Sequence, residues 1–282
     1  MRRLTVALML PAALLMAEGS PAGVDPGSER GITTADGTKA RSYPWDKRVK
    51  QAKRYARKRG GSVSFAVIDE RRRLRGFRRG RQYSSASTVK VMIMVSYLRK
   101  RKVRRRKLRG SEKALISPMI TRSDNGAASA VYSRVGPGGL EHLARAARMK
   151  RFEASSVWGG SQITARDQAK FMYRLRQLTP RRHRRYALGI LRRIVPGQRW
   201  GIPPAKPKRW SIHFKGGWYP GGYGWRVHQV ALLRRNGRRL SLAVLTEGGP
   251  SLSYGTETIT GVTKRLLGGY NRYRPRRGGG RR

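Results

Sequence analysis

Residues 210–246 read WSIHFKGGWYPGGYGWRVHQVALLRRNGRRLSLAVLT, and this stretch decides the fold class. Its β-branched and aromatic residues predict three strands, at 210–214, 227–234 and 240–246. Asn236-Gly237 separates the last two runs, and this dipeptide is typical of a two-residue hairpin. We therefore expect antiparallel strands here, followed by a closing helix from about residue 256 to residue 267.

Two more strands are predicted near the amino-terminal end. Residues 62–68 (SVSFAVI) form a β-rich run, and residues 69–80 are interpreted as a turn followed by a second, charged strand. Apolar residues at helical spacing predict helices at 43–59, 87–98, 115–120, 126–135, 140–149, 164–178 and 182–194. Thr164 is expected to cap its helix, with Asp167 three residues on. This order predicts an α/β (α+β) fold, in which one antiparallel sheet is assembled from both chain ends and carries helices on its faces.

The chain has 282 residues and a formal net charge of +51, from 65 Lys and Arg against 14 Asp and Glu. That length allows one large domain or two small ones. Cysteine is absent from the sequence, which excludes disulfides, cysteine zinc sites, a catalytic cysteine and a lipid-modified cysteine. The four histidines lack the HExxH and HxH spacings, so the sequence predicts no metal site and no cofactor.

The amino terminus predicts an export signal. Met1-Arg2-Arg3 precedes an apolar run at 4–16 and small residues at 17–22, the layout of a secretory signal peptide. The run is shorter than the ~20 residues of a membrane-spanning helix. We expect residues 1–22 to be cleaved and the mature protein to be secreted or extracytoplasmic; an uncleaved anchor or a mis-assigned start is the alternative. The predicted order continues with a linker at 23–42, a folded domain at 43–270 and a basic, disordered tail at 271–282.

The first chemical motif is Ser87-Thr-Val-Lys90, at a predicted helix start. A serine at a helix N-terminus favours the anion that develops during nucleophilic attack, and a lysine one turn later lies on the same face. That lysine can take the hydroxyl proton if its neighbours keep it neutral. The motif alone is weak, because a capping serine followed by a solvated lysine has the same pattern.

The second motif, Ser123-Asp124-Asn125, lies between two predicted helices. A hydroxyl and an amide on a loop could relay a proton and hold a substrate amide. A helix cap made of turn-forming residues would look the same, so this triplet alone does not establish a function.

The third motif, Lys215-Gly216-Gly217-Trp218, directly follows the predicted strand at 210–214. A lysine that ends an edge strand can hold a substrate carboxylate, and the glycines allow a substrate backbone to approach closely. The structural alternative is a β-bulge with a surface lysine.

In this order the three motifs resemble the S-x-x-K, S-D-N and K-T-G set of penicillin-recognising serine enzymes. Over residues 43–268 the chain resembles the class A β-lactamase-like serine hydrolases, close to the penicillin-binding proteins. The residues around the motifs resemble a secreted actinobacterial branch of that family. The resemblance implies a β-lactamase/transpeptidase-like fold, in which an all-helical subdomain accompanies the antiparallel sheet.

The resemblance also implies the catalytic roles. Ser87 would be the acylated nucleophile, and Lys90 its proton acceptor or the residue that tunes that acceptor. Ser123 would pass a proton to the leaving nitrogen. The backbone N–H groups of Ser87 and Trp218 would form the oxyanion hole. Asp124 is expected to fix the loop.

The substrate-binding residues follow from the same resemblance. Asn125 would hydrogen-bond the substrate amide and help to seat Lys90. Lys215 would anchor the substrate carboxylate, and Gly217 would permit the close approach of the substrate. The implied site needs no metal and no cofactor.

Two departures from the family pattern affect the expected activity. Gly216 stands where the family has Thr or Ser, so a hydroxyl that would bind the β-lactam carboxylate is missing. The loop after Glu153 lacks the Leu-Asn that follows the deacylating Glu of the family, and Glu153 is the only candidate for that base. A positioned base contributes about 10²–10⁴ in rate, so we expect weak β-lactam turnover with an accumulating acyl-enzyme.

Two functions therefore remain open. One is an exported serine hydrolase that acts on β-lactam or D-alanyl-peptide-like amides. The other is a catalytically idle member that binds cell-wall peptide or anionic wall polymer. The expected partners are a small-molecule or peptide substrate and, because of the net charge, an anionic wall polymer or a lipid surface. No pattern of a specific nucleic-acid reader is present in the sequence, and we expect a monomer.

Overall fold

The structure is a computed structural model that describes residues 43–273. The predicted signal peptide, the linker and the tail beyond residue 273 lie outside these residues. The helices are α1 (Trp45–Arg57), α2 (Lys90–Arg99), α3 (Arg101–Arg104), α4 (Gly110–Thr121), α5 (Asn125–Ala146), α6 (Ala165–Leu178), α7 (Arg184–Ile190), α8 (Ile202–Ala205) and α9 (Leu252–Leu267). The strands are β1 (Ser62–Ile68), β2 (Leu74–Phe77), β3 (Gln82–Ser84), β4 (Gln162–Thr164), β5 (Ser211–Gly221), β6 (Gly224–Arg235) and β7 (Arg238–Gly249).

Strands from both ends of the described chain form one five-stranded antiparallel sheet, in the order β2-β1-β7-β6-β5. The predicted sheet is therefore confirmed. Asn236 and Gly237 join β6 to β7 with positive φ angles of 45° and 76°, as a two-residue hairpin requires. At the other side of the sheet β5 pairs with β6 alone, so β5 is an edge strand.

The sheet is covered on both faces. Every residue of β1 after Ser62 is buried, and a strand with near-continuous burial has helices on both sides. α6 and α9 both pack against β6 and β7, and α1 packs against α9. The Thr164 hydroxyl accepts a hydrogen bond from the Asp167 N–H at 3.1 Å, which confirms the predicted cap of α6.

A helical subdomain stands beside the sheet. Its centre is α2, which is buried at every position except Arg99 and packs against α5, α4 and α3. The two helices predicted at 126–135 and 140–149 are the two parts of α5, between which Gly136 (φ 66°, ψ 172°), next to Pro137, is not helical. The four residues that precede α2, Ala86–Val89, form a 3₁₀ helix that leads into it.

The structure differs from the sequence prediction in two places near the site and the tail. The third motif does not follow a strand that ends at residue 214, because β5 continues to Gly221 and contains the whole motif. Tyr270–Arg272 is a 3₁₀ helix whose Tyr270 is buried and donates to Glu70, so the folded part extends into the predicted tail. Within residues 43–273, no helix has the length and apolar character of a membrane span, and no group of metal-ligating side chains is present.

Candidate active site

Ser87 lies in the 3₁₀ helix that precedes α2, at the wall of a cavity of about 540 Å³. The residue before it, Ala86, has φ 45°, a left-handed conformation that is unusual for a residue with a Cβ. Such strain is found at functional sites, where the surrounding structure holds it. Here it turns the chain sharply between β3 and the helix, so that Ser87 faces the cavity.

Lys90, one turn after Ser87, lies beneath the cavity with no exposed surface. Its ammonium donates to the Ser123 backbone oxygen at 2.6 Å, to Ser123 Oγ at 3.2 Å and to Asn125 Oδ1 at 2.7 Å. An ammonium has three donors, so these bonds satisfy it fully. Lys90 thereby joins the first motif to the second.

Burial disfavours the charged form of Lys90 and lowers its pKa to about 8, although the nearby Asp124 carboxylate acts in the opposite direction. A lysine with such a pKa is partly neutral near neutral pH, so it can accept a proton. The environment of Lys90 is therefore suited to a base.

Ser123-Asp124-Asn125 connects α4 to α5. Asp124 caps α5, because its Oδ1 accepts a hydrogen bond from Ala127 N–H at 2.7 Å. Ser123 has φ 63°, which directs its hydroxyl and its carbonyl together toward Lys90. Asp124 therefore caps α5, while Ser123 and Asn125 on either side of it accept hydrogen bonds from Lys90.

Gly217 brings β5 against the start of the 3₁₀ helix Ala86–Val89, which contains Ser87 and is called the nucleophile helix below. A Cβ at this position would stand 2.7 Å from Ser87 N and 2.8 Å from Thr88 N, so only glycine permits this approach. Phe214 N–H donates to Leu191 O, outside the sheet. Alternation along the strand directs Trp218 N–H toward the same free edge, where the nucleophile helix lies. The geometry is compatible with the predicted oxyanion hole of Ser87 and Trp218 N–H groups.

Lys215 lies within β5 and is completely buried. Its ammonium donates to the Gly216 carbonyl at 2.8 Å, and burial together with the nearby Lys90 holds its pKa well below the ordinary value. Lys215 is not among the residues that line the cavity of Ser87. The contact of Lys215 with a substrate carboxylate stays a prediction.

The acidic residues between the second and third motifs are engaged elsewhere. Glu153 is exposed, does not line the cavity and accepts a hydrogen bond from Gln82 Nε2 at 2.7 Å. Glu141 accepts from Ala154 N–H, and Asp167 accepts from Arg151 N–H. Among the lining residues of this cavity that the structure describes, none is a carboxylate.

The 150–162 loop instead places an indole over the base. The Lys90 ammonium lies 4.7 Å from the centre of the Trp158 ring, and Trp158 Nε1 donates to Ser129 Oγ at 3.2 Å. Both Trp158 and Ser129 line the cavity. An aromatic face close to an ammonium is attractive for the cation and excludes water from the same position. No sequence motif pointed to Trp158, because the one local signal was that the loop lacks the Leu-Asn of the family.

The structure therefore brings together the residues of all three motifs. Ser87, Asn125 and Trp218 line the cavity, and Lys90 and Ser123 are hydrogen-bonded beneath it. Trp200, which the sequence analysis did not identify, packs against Gly216 and Trp218.

Comparison with protein families identifies one match. The model of a beta-lactamase enzyme family matches residues 104–270, more than half of the chain. The matched range contains the second and third motifs and begins after Ser87 and Lys90. No curated protein sequence matches the chain.

Solved structures of low sequence identity share the fold. A class A beta-lactamase from Mycobacterium abscessus is 20% identical, with a TM-score of 0.68 over 79% of this chain and 99% of that chain. A beta-lactamase from Sphaerobacter thermophilus is 19% identical, with a TM-score of 0.69 over 83% of this chain and all of that chain. A structure named PBP-A is 17% identical, with a TM-score of 0.67 over 80% of this chain and 96% of that chain.

Proposed function

The chain belongs to the beta-lactamase enzyme family, and on that premise we propose that it is a monomeric serine hydrolase whose acyl-enzyme forms on Ser87. The substrates are β-lactam or D-alanyl-peptide-like amides. One observation carries the proposal: Lys90, one turn after Ser87, is buried and bonded to Ser123 Oγ and Asn125, in a setting that lowers its pKa to about 8.

Acylation uses these residues in sequence. Ser87 Oγ attacks the substrate carbonyl carbon while neutral Lys90 takes the hydroxyl proton. The carbonyl oxygen becomes an oxyanion that faces the N–H groups of Ser87 and Trp218. When the carbon–nitrogen bond breaks, Ser123 gives its proton to the leaving nitrogen and takes one back from Lys90. The products are an ester on Ser87 and a neutral amine.

Deacylation lacks an equally well-placed base. Glu153 is exposed and bonded to Gln82, and the Trp158 ring centre lies 4.7 Å from the Lys90 ammonium. A hydrolytic water would need a base aimed at it, which contributes about 10²–10⁴ in rate. We therefore propose that the acyl-enzyme is long-lived and that β-lactam turnover is weak.

The decisive experiment is covalent labelling followed by mass spectrometry. Wild-type protein is incubated with a fluorescent penicillin and, separately, with an activated acyl thioester. We expect an adduct on the peptide that contains Ser87 and none on Ser87→Ala. Ser129→Ala is the matched control, because this serine lines the same cavity without a lysine one turn away and should still label.

Two results would contradict the proposal. Labelling of Ser87→Ala at the wild-type rate would remove Ser87 from the mechanism. A wild-type protein that binds wall peptide but never labels with either reagent would instead identify the catalytically idle alternative.

Export and source are proposed on the sequence alone. The layout of residues 1–22 supports secretion after signal-peptide cleavage, and the residues around the motifs support a secreted actinobacterial branch.

Association with polyanions is proposed from the charge. Besides the net charge of +51, a concave surface of about 600 Å³ is lined by arginines that include Arg176, Arg234 and Arg239. Anionic wall polymer or lipid headgroups would be attracted there. Sedimentation with anionic vesicles or teichoic acid should be strong at low salt and lost at high salt.

A further inference from the structure

The space beside Gly216 is already filled. A Cβ at Gly216 would stand 2.8 Å from one ring carbon of Trp200 and 2.9 Å from another. The Trp200 ring also packs edge-to-face on Trp218, with 5.8 Å between the ring centres. The indole of Trp200 therefore occupies the place where the side chain of residue 216 would stand.

Trp200 is held there by the neighbouring strand. Gln229 lies directly across from Gly216 in the β5–β6 pair and is completely buried. Its side-chain amide donates to the Trp200 carbonyl at 2.8 Å and accepts from Ile202 N–H at 2.5 Å. Gly201, between them, has φ 72°, and a Cβ there would stand 2.6 Å from Gln229 Oε1. Two hydrogen bonds and a position restricted to glycine thus fix the backbone that carries the indole.

Two cations near this place are engaged with other groups, and a third, Arg199, donates to the backbone oxygens of Arg192 and Ile194. The Lys215 ammonium is buried and donates to the Gly216 carbonyl. Among the described residues that line the cavity, Arg226 is the cation, and its guanidinium is paired with Glu247. A carboxylate placed beside Trp200 would lose water to an aromatic ring that offers it no hydrogen bond in return.

We propose that Trp200 determines specificity by closing the space beside Gly216 to a carboxylate, so that the enzyme prefers acyl donors whose group beside Gly216 is uncharged. This proposal rests on the proposed acyl-enzyme function and narrows its substrate class. An uncharged or aromatic group would pack on the faces of Trp200 and Trp218 without a desolvation cost.

The test compares benzylpenicillin with its methyl ester. The two share the same strained ring and differ in the charge of one group, so the ratio of their acylation rates isolates the carboxylate contribution. Wild type should acylate with the ester at least as fast as with the free acid. Gly216→Thr alone should not favour the acid, because its Cβ meets the Trp200 ring. Trp200→Ala combined with Gly216→Thr should raise the acid-to-ester ratio about tenfold or more, the gain from one hydrogen bond to a charged group.

A binding measurement separates this proposal from the acylation chemistry. Ser87→Ala is titrated with both compounds, and tryptophan fluorescence reports the dissociation constants. Ester binding without acylation of wild type would refute the proposed reaction and support the specificity. Tyr223→Ala is the control, because Tyr223 is an exposed aromatic residue between β5 and β6. It should leave unchanged the acid-to-ester ratio of the acylation rates and that of the dissociation constants.

The proposal is overturned if wild type prefers the free acid about tenfold or more in either measurement. It is also overturned if neither compound binds or acylates. The wild-type ratio decides the question even if the double variant fails to fold, which thermal unfolding would reveal.

Discussion

The contact between Gly217 and the nucleophile helix predicts a large effect of one methyl group. In Gly217→Ala the new Cβ would meet Ser87 N at 2.7 Å, about 0.7 Å short of an ordinary van der Waals distance, and Thr88 N at 2.8 Å. Both neighbours are backbone atoms, so no side chain can rotate away. Either β5 or the start of the nucleophile helix must move.

The size of the effect follows from that displacement. A misplacement of about 1 Å at a reacting centre costs on the order of 10²-fold in rate, and the loss of one oxyanion donor costs about 10²–10³. We therefore expect Gly217→Ala to acylate roughly 10²-fold more slowly than wild type. Overpacking of a filled site should also lower the free energy of unfolding by about 1–3 kcal/mol.

The assay is stopped-time labelling with an activated acyl donor, read by intact mass, together with thermal unfolding. Gly222→Ala is the matched control: it changes a glycine of the same hairpin to the same residue where a Cβ meets nothing within 4 Å. This control should keep the wild-type rate and stay within about 0.5 kcal/mol in stability. A Gly217→Ala protein that acylates within twofold of wild type would refute the role of this contact.

Three further outcomes are expected. The acylation rate should rise about tenfold per pH unit below pH 8 and level off above it, because Lys90, with its pKa of about 8, accepts a proton only in the neutral form. A rate that is flat from pH 6 to 9 would exclude Lys90 as the base. Glu153→Gln should leave the lifetime of the acyl-enzyme unchanged in a chase experiment, since Glu153 is exposed and bonded to Gln82; a strongly prolonged lifetime would make Glu153 the deacylating base. Amino-terminal sequencing of protein exported by its own cell should find a start between about residues 18 and 23, and an intact 4–16 run on soluble protein inside the cell would contradict export.

The sequence predicted those features that depend on local pattern. Runs of β-branched and aromatic residues and Asn236-Gly237 identified the antiparallel strands, and the Thr164 cap was found because capping depends on neighbouring residues. The predicted break between the helices at 126–135 and 140–149 is found at Gly136, whose backbone angles are not helical. These elements need no knowledge of distant contacts.

The features that were missed depend on contacts between distant parts of the chain. The 196–207 segment is rich in Pro and Gly and has no periodicity, so nothing local marked Trp200. Its importance comes from Gln229 on another strand and from the space left by Gly216. Trp158 was missed for the same reason, since its partner Lys90 is distant in sequence. The usable signal was Gly216 itself: a missing side chain in an otherwise matching motif raises the question of which residue fills its place.

The assembly of the sheet from both chain ends has a consequence for biosynthesis. Strand β1 pairs with β7 from Ser62↔Glu247 to Ile68↔Ser241, so more than 170 residues must follow β1 before its partner exists. At a synthesis rate of about 5–20 residues per second, β1 waits roughly 9–36 s with one edge unpaired. Contacts of such high sequence separation slow folding and leave an apolar strand available to the wrong partners in the meantime. Until residue 249 is made, the elements that can shield β1 are its early neighbours β2 and α1, which contact it in the folded protein.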